Sequence, residues 1–209
     1  MAFSQAFGFY GILTNPRVGY DRLASIMAEK KVGYIQLRVK DAPKEEILRI
    51  AASLRAIIPP TSLLIINDHS DIAKKVGADG VHLGQDDESF ERARRMLGPN
   101  AIIGLSTHNP DQTRAACELG PNYIGVGPVF PTPTKAVADP VIGLSGLKAM
   151  LSLATVPAVA IGGIDHSNVG RVLEAGAENL CAVRCINQSS DPDGDLSRMI
   201  EAIESRISN

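Results

Sequence analysis

Short apolar runs alternate with amphipathic stretches along almost all of the 209-residue sequence. Runs of four or five residues fit buried strands better than helices, whereas the stretches between them repeat apolar residues at helical spacing. The predicted strands are 9–13, 33–37, 62–66, 80–83, 101–105, 123–126, 157–161 and 179–183. The predicted helices are 20–31, 43–57, 70–76, 88–97, 110–119, 144–153, 167–175 and 193–207. Strict alternation implies parallel strands joined by right-handed crossovers.

Eight strand–helix units in a chain of this length fit a closed (β/α)8 barrel, the TIM-barrel class of α/β folds. The alternative is an open doubly wound sheet. The first strand, however, is not followed by the Gly-x-Gly-x-x-Gly turn expected of a dinucleotide-binding half. Because no linker or low-complexity segment divides the chain, the sequence predicts one catalytic domain over 1–209, with residues 1–8 as a flexible N-terminal extension.

The composition narrows the kinds of partner. A net charge of −2 without a basic run argues against nucleic acid or an anionic membrane as the partner. No apolar run approaches the ~20 residues of a membrane-spanning helix, and the N-terminus lacks a signal-peptide pattern. The three cysteines form neither an even set nor a Cys-x-x-Cys pair, which suits a reducing compartment. We therefore expect a cytoplasmic protein that acts on small molecules.

Charged side chains follow the second, third and fourth predicted strands. Gln36, Arg38 and Lys40 alternate along the chain and should point to one side, where buried cations need an anion such as phosphate or pyrophosphate. Asp68 and Asp87 follow the next two strands, so their carboxylates could hold Mg²⁺ against a phosphate if these strands are neighbours. The alternatives are that the cations pair with carboxylates of the barrel and that the aspartates cap helices.

Later strand ends carry groups that bind phosphate. Ser106 follows the fifth strand, as a hydroxyl donor or as a helix cap. The irregular segment from 127 to about 143 is long for a compact barrel, so it is either a functional loop or a surface insertion. It supplies two hydroxyls and a cation, from Thr132, Thr134 and Lys135. Gly163 follows the seventh strand, where such barrels often bind phosphate through the backbone. The pattern suggests two phosphorylated ligands.

An ordered set of motifs, at 36–40, 67–68, 82–87, 104–106, 127–135 and 161–164, resembles the thiamine phosphate synthase family, also called thiamine-phosphate pyrophosphorylase. Each motif is weak alone, but the ordered set spans nearly the whole chain and is specific. The resemblance implies a transferase that joins hydroxymethylpyrimidine pyrophosphate to a thiazole phosphate and releases pyrophosphate. It further implies that pyrophosphate leaves first, in a Mg²⁺-assisted dissociative substitution.

The resemblance also implies roles for single residues. Those that match contacts to the pyrimidine pyrophosphate are Gln36, Arg38, Lys40, Asn67, His82, Ser106 and Lys135. Among these, the ones implied to assist catalysis are Arg38, Lys40, Ser106 and Lys135. Asp68 and Asp87 match the Mg²⁺ ligands. Those that match contacts to the thiazole phosphate are Thr132, Thr134 and Gly163. For His82, a structural hydrogen bond inside the barrel is the alternative.

One stretch departs from the family pattern. Where synthases usually have Ser and a small residue after the eighth strand, this chain has Val183-Arg184. We expect both residues to line the thiazole phosphate site, where Arg184 either adds charge or fills the pocket. A thiazole tautomerase-like relative, a non-catalytic phosphate-ligand sensor and a sugar-phosphate epimerase are the alternative functions. The complete pyrophosphate set argues against the tautomerase. The resemblance also suggests a homo-oligomer.

Overall fold

A computed structural model describes residues 6–132 and 139–207. The strands are β1 (Tyr10–Leu13), β2 (Tyr34–Leu37), β3 (Leu63–Asn67), β4 (Gly80–Leu83), β5 (Ile102–Thr107), β6 (Tyr123–Val126), β7 (Ala158–Ala160) and β8 (Asn179–Leu180). The helices are α1 (Tyr20–Glu29), α2 (Lys44–Ile57), α3 (Ser70–Val76), α4 (Phe90–Leu97), α5 (Pro110–Leu119), α6 (Gly143–Leu153), α7 (Val169–Glu174), α8 (Val183–Asn187) and α9 (Pro192–Ile207). None of the helices in these two ranges is both long and apolar enough to cross a membrane.

The strands form one parallel sheet in chain order, from β1 to β8. An isolated parallel bridge between Phe9 and Leu180 joins the two edges, and the Leu180 N–H donates to the Gly8 carbonyl at 3.1 Å. This bridge makes the sheet a nearly closed barrel with helices alternating along the chain. The predicted (β/α)8 class is confirmed, and the open doubly wound sheet is wrong.

Inward and outward side chains of the strands form two separate cores. On β1, Leu13 belongs to the large cluster between strands and helices, whereas Tyr10 and Ile12 belong to a smaller cluster inside the barrel. The other buried members of the inner cluster are Tyr34, Ile65, Tyr123, Val159 and Cys181. Because the strand repeat is two residues, the inward positions near each carboxyl end project into the mouth of the barrel.

Most predicted elements are present with ends shifted by one or two residues. Helices α3 and α5 have the predicted bounds, because Gly77 and Gly120 end them in the left-handed conformation that glycine adopts without strain. Helix α4 begins at Phe90 rather than at 88, since the Ser89 side chain accepts the Arg92 N–H and caps the helix.

The predicted eighth strand is wrong beyond Leu180. Instead of extending to 183, the chain turns into the short helix α8, where a loop was expected. Asn187 holds this helix against β1: its side-chain nitrogen donates to the Ile12 carbonyl at 2.7 Å, and its oxygen accepts the Thr14 N–H at 2.8 Å. A buried asparagine with these partners favours a helical turn over further pairing in the sheet.

The segment before β1 contacts the barrel where the structure describes it. The Asn179 side chain accepts the backbone N–H groups of Phe7 at 2.6 Å and Gly8 at 3.0 Å. Its nitrogen donates to the Ala158 carbonyl at 3.2 Å. These bonds fix the described residues of the predicted extension beside β8, and residues 1–5 lie outside the described part of the chain.

Candidate active site

The carboxyl ends of the strands open into a cavity of about 1080 Å³. Twelve of the predicted site residues line it: Gln36, Arg38, Lys40, Asn67, Asp68, His82, Asp87, Ser106, Thr132, Gly163, Val183 and Arg184. The remaining two, Thr134 and Lys135, lie outside the described residues. Strand order therefore brings together groups that are far apart in the sequence.

Asp68 follows β3 and does not act as a helix cap. Its backbone has a φ of 63°, and its N–H donates to the His82 carbonyl at 2.9 Å. The carboxylate accepts a hydrogen bond from the Lys40 ammonium, and the capping position of α3 belongs to His69. Burial has the largest effect on Asp68 and raises its pKa. The hydrogen bond with Asp87 raises the pKa further, and Lys40 only partly offsets these two effects. The carboxylate is thus aimed at the cavity and not at α3.

Asp87 is the second member of this acidic pair. Its Oδ2 accepts the Gly84 N–H at 2.6 Å. Burial opposes ionisation of Asp87, but the hydrogen bonds from Asp68 and Gly84 outweigh burial, so the pKa of Asp87 lies below its ordinary value. Two carboxyl groups in contact repel each other when both are ionised, and a proton or a cation between them removes the repulsion.

The acidic pair fits a magnesium ion that is shared with a ligand. Within residues 6–132 and 139–207, no group of three or more His, Cys, Asp or Glu side chains could hold a metal. Mg²⁺ usually takes one or two carboxylates from a protein and fills its other positions with water and substrate phosphates. Asp68 and Asp87 would supply that number of ligands.

Two cations lie beside the acidic pair. Lys40 makes an ion pair with Asp68, so the alternative of pairing within the barrel describes this lysine. Burial lowers the pKa of Arg38, and the charges of Asp68 and Asp41 only partly offset burial. The backbone N–H of Arg38 donates to the Leu13 carbonyl at 2.9 Å, which fixes the end of β2 against β1. A half-buried guanidinium whose burial is only partly compensated gains most from an anionic ligand.

A continuous series of hydrogen bonds crosses the barrel interior; we call it the polar chain. Its members are, in order, Gln36, Tyr10, Tyr123, His82 and Ser106. Burial lowers the pKa of His82 to about 4, so its imidazole is neutral near pH 7. His82 thus lines the cavity, and it also makes hydrogen bonds inside the barrel, which was the alternative to a ligand contact. Sequence reasoning missed Tyr10 and Tyr123, whose signal is a tyrosine at an inward position of an apolar strand.

The opposite wall of the cavity is made of backbone. Residues 128–130 pair with the end of β7: the Val129 N–H donates to the Ile161 carbonyl and the Phe130 N–H to the Gly162 carbonyl, both at 2.9 Å. Gly163 has a φ of 64°, and a Cβ there would lie 2.7 Å from the Phe130 Cβ and from the Pro131 carbonyl oxygen. A side chain at 163 would therefore collide with the long loop, a reason for glycine that the sequence did not reveal.

Two arginines lie on this backbone wall. Arg184 is exposed on α8, and its charge helps Ser167 to lower the pKa of Asp165, the Ser167 hydrogen bond having the largest effect. The Arg171 guanidinium carbon lies 5.9 Å from the centre of the Phe130 ring. Both arginines line the cavity, although sequence reasoning missed Arg171 because its helix position reveals nothing about the loop it faces.

Further residues at the mouth were also missed. The Nδ1–H of His108 donates to the Gly127 carbonyl at 2.6 Å, and its Nε2 lies 3.5 Å from the Asp139 carboxylate. The Gln85 side chain donates to the Ser106 carbonyl at 2.6 Å. These contacts fix the backbone at the ends of β5 and β6. Gln85 lies within the family motif at 82–87, and this position was the sequence signal that could have identified it.

Fold and site together define a class: a (β/α)8 barrel enzyme with paired carboxylates, cations and a glycine-built backbone wall at the carboxyl ends of its strands. The particular family follows from comparison with known proteins. A family model described as thiamine monophosphate synthase matches residues 14–186, and the chain belongs to this family. It is accordingly an enzyme of the transferase class.

Individual proteins similar to this chain are thiamine-phosphate synthases, also called pyrophosphorylases. The chain is 44% identical over 170 residues to a thiamine-phosphate synthase of Gloeobacter violaceus, covering 81% of this chain but only 50% of that relative. It is 41% identical over 189 residues to the thiamine-phosphate synthase of Halalkalibacterium halodurans, covering 88% of this chain and 89% of the relative. A solved thiamine phosphate pyrophosphorylase from Pyrococcus furiosus superposes with a TM-score of 0.84 at 31% identity, covering 96% and 97% of the two chains.

Proposed function

We propose that this protein, acting as a single catalytic domain, couples hydroxymethylpyrimidine pyrophosphate to thiazole phosphate. The products are thiamine phosphate and pyrophosphate. The observation that carries the proposal is the contact of Asp68 and Asp87 with each other, beside Lys40 and Arg38, in a cavity that extends to Gly163. One end of this cavity suits a pyrophosphate with a metal, and the other end suits a second phosphate.

The pyrophosphate end stabilises a leaving group. Mg²⁺ held by Asp68 and Asp87 would supply positive charge to the departing pyrophosphate. Arg38 and Lys40 add fixed cations, and the Ser106 hydroxyl and the Asn67 amide offer neutral hydrogen bonds. Gln36 lies in the same wall, with its amide nitrogen already bonded to Tyr10. Preorganised charge of this kind lowers a barrier without covalent participation by the protein.

The chemistry needs no protein nucleophile. The bond between the pyrimidine methylene carbon and the pyrophosphate oxygen breaks first, and its electron pair leaves with pyrophosphate. The thiazole nitrogen then donates its lone pair to the resulting carbocation. The cavity cysteine Cys185 does not compete as a nucleophile, because burial raises its thiol pKa to about 11. Holding the two substrates close together is then the main task of the protein.

The thiazole phosphate is proposed to lie against the backbone wall. Gly163 and the hydroxyl of Thr132 offer neutral donors there, and Val183 and Arg184 line the same region. Arg184 would add charge to this site. Thr134 and Lys135 keep their sequence-based roles as predictions, as do the cytoplasmic location and the homo-oligomer.

The test is a reaction with the purified protein, Mg²⁺ and hydroxymethylpyrimidine pyrophosphate, with and without thiazole phosphate. We expect pyrophosphate and thiamine phosphate in equal amounts, only when all components are present, and loss of both products when EDTA is added. Tight binding of thiamine phosphate without turnover would contradict the synthase and favour the phosphate-ligand sensor. Binding of the thiazole phosphate without coupling would favour the tautomerase-like relative.

A further inference from the structure

The polar chain connects a buried amide to a hydroxyl that lines the cavity. Gln36 Nε2 lies 3.1 Å from Tyr10 Oη, which lies 2.6 Å from Tyr123 Oη. His82 then bridges Tyr123 and Ser106: its Nδ1 is 3.0 Å from Tyr123 Oη, and its Nε2 is 2.9 Å from Ser106 Oγ. Gln36, Tyr10 and Tyr123 are each at most 2% exposed, so water does not replace these partners.

The amide at the buried end gives the chain one direction. A side-chain amide nitrogen can only donate, so the Tyr10 oxygen accepts from Gln36 and the Tyr10 proton goes to Tyr123. Tyr123 then donates to Nδ1 of His82, which leaves the histidine proton on Nε2 and directs it to Ser106. In the opposite direction, the Tyr10 proton would face the amide protons of Gln36, and a buried donor would lack an acceptor.

We infer that Tyr123 is a positioning residue, which acts through His82 to aim the Ser106 hydroxyl proton into the cavity. This inference rests on the proposed function, in which that proton meets an oxygen of the pyrophosphate group. Because Ser106 already accepts the Nε2 proton of His82, its own proton is available to a ligand. Without Tyr123, His82 could place its proton on either nitrogen, and Ser106 could then donate back to the imidazole.

The packing around Tyr123 fixes the position of its hydroxyl relative to His82. A Cβ on Gly104 would lie 2.1 Å from the Tyr123 Cζ, so the missing side chain at 104 makes the space for the phenol. The Tyr123 ring meets the Tyr34 ring edge-on at 5.5 Å between centres and the Tyr10 ring at 5.3 Å. A ring confined in this way keeps its hydroxyl fixed relative to the imidazole.

The experiment is a double-mutant cycle on Tyr123→Phe and Ser106→Ala in the full chain. We expect Tyr123→Phe to lower kcat/KM for hydroxymethylpyrimidine pyrophosphate about 3- to 10-fold, the cost of one misdirected hydrogen bond. The KM for thiazole phosphate should stay within about twofold. In the Ser106→Ala background, Tyr123→Phe should have no further effect, because its target is gone. Additive losses would overturn the inference.

Tyr34→Phe is the matched control. Tyr34 stacks on Tyr10 in the same ring cluster, but the polar chain as defined does not include it. Loss of a buried phenol oxygen there should leave kcat/KM within about twofold. An equal loss of kcat/KM in Tyr34→Phe and Tyr123→Phe would mean that the packing of the ring cluster sets the rate, and not the direction of the Ser106 hydroxyl proton. That result would reject the inference.

A second readout does not need turnover. Nitrogen NMR of the His82 imidazole in the wild-type protein should show a protonated Nε2 and a bare Nδ1, and Tyr123→Phe should give a mixture of both tautomers. A protonated Nδ1 in the wild type would mean that the hydrogen bonds of the polar chain run in the opposite direction, and it would overturn the inference. If the wild-type protein makes no thiamine phosphate, the proposed function fails. In that case the His82 tautomers would still decide the inference, together with the binding of inorganic pyrophosphate and Mg²⁺ to Tyr123→Phe and Tyr34→Phe. Weaker binding in Tyr123→Phe alone is the expected result, and equal binding in both variants would overturn the inference.

Discussion

The two sides of the cavity offer their proposed ligands different kinds of group. The side at β2 to β5 uses charged side chains in direct contact, such as Lys40 with Asp68. The side at β7 and α8 uses backbone that can approach closely because Gly163 lacks a side chain, with exposed arginines at its edge. On the first side, removal of a charge should be the severe change. On the second side, addition of a methyl group should be more severe than removal of a charge.

The largest expected effect is that of Asp87→Asn on the charged side. The amide keeps the size of the carboxylate and can still accept the Gly84 N–H, but it loses the charge that would hold Mg²⁺. We expect kcat to fall about 100- to 1000-fold, the scale for loss of one major electrostatic contribution to a transition state. Initial rates at saturating substrates, measured over a range of Mg²⁺ concentrations, test this.

Glu88→Gln is the matched control for Asp87→Asn. Glu88 is the next acid along the chain, where it accepts the Ser70 N–H at 3.2 Å and pairs with Arg92 at 3.5 Å outside the cavity. Its loss should leave kcat within about twofold. If Asp87→Asn behaved like this control, the charged side would not depend on its acidic pair, and the comparison between the two sides would fail.

The next effect is that of Gly163→Ala on the backbone side. A methyl group there would contact Phe130 and Pro131 at 2.7 Å, and alanine is strained at a φ of 64°. We expect the KM for thiazole phosphate to rise about tenfold, with the KM for the pyrimidine substrate within twofold. The unfolding free energy should fall by roughly 1–3 kcal/mol, as measured by urea denaturation.

Gly170→Ala is the control for this substitution. Gly170 lies within α7, and a Cβ there would meet no atom within 4 Å, so alanine should be neutral or stabilising. Equal rises of both KM values in Gly163→Ala would show that the glycine serves only the shape of the loop. In that case the backbone side would lose its assignment to the thiazole phosphate.

The fold was predictable because its signals are local. β4 and β6 have the predicted bounds, since glycines end the helices before them and the apolar runs are short. The end of β8 was not predictable in this way. Its course depends on the hydrogen bond from Asn187 to the Ile12 carbonyl, between residues 175 positions apart, which exists only once the barrel closes.

The candidate site likewise has a part that was predictable from the sequence and a part that was not. Charged residues at strand ends, such as Asp68 and Asp87, could be placed at one edge from strand order alone, and they do meet. Their partners inside the barrel could not be placed. Tyr10 and Tyr123 are 113 positions apart and touch because β1 and β6 project side chains to the same depth of the interior. Pairing across the interior depends on the stagger of the strands, which periodicity does not specify.

Arg184→Ser should have the smallest effect, and it tests whether charge matters on the backbone side. An exposed guanidinium beside Asp165 is screened by solvent, so its attraction for a phosphate is modest. We expect the KM for thiazole phosphate to rise about 2- to 5-fold with kcat unchanged, and the difference from wild type to shrink at high salt. Arg95→Ser, on the exposed face of α4, is the control and should change neither value. A lower KM in Arg184→Ser would mean that the arginine obstructs the site, and then side-chain bulk rather than charge would limit the backbone side.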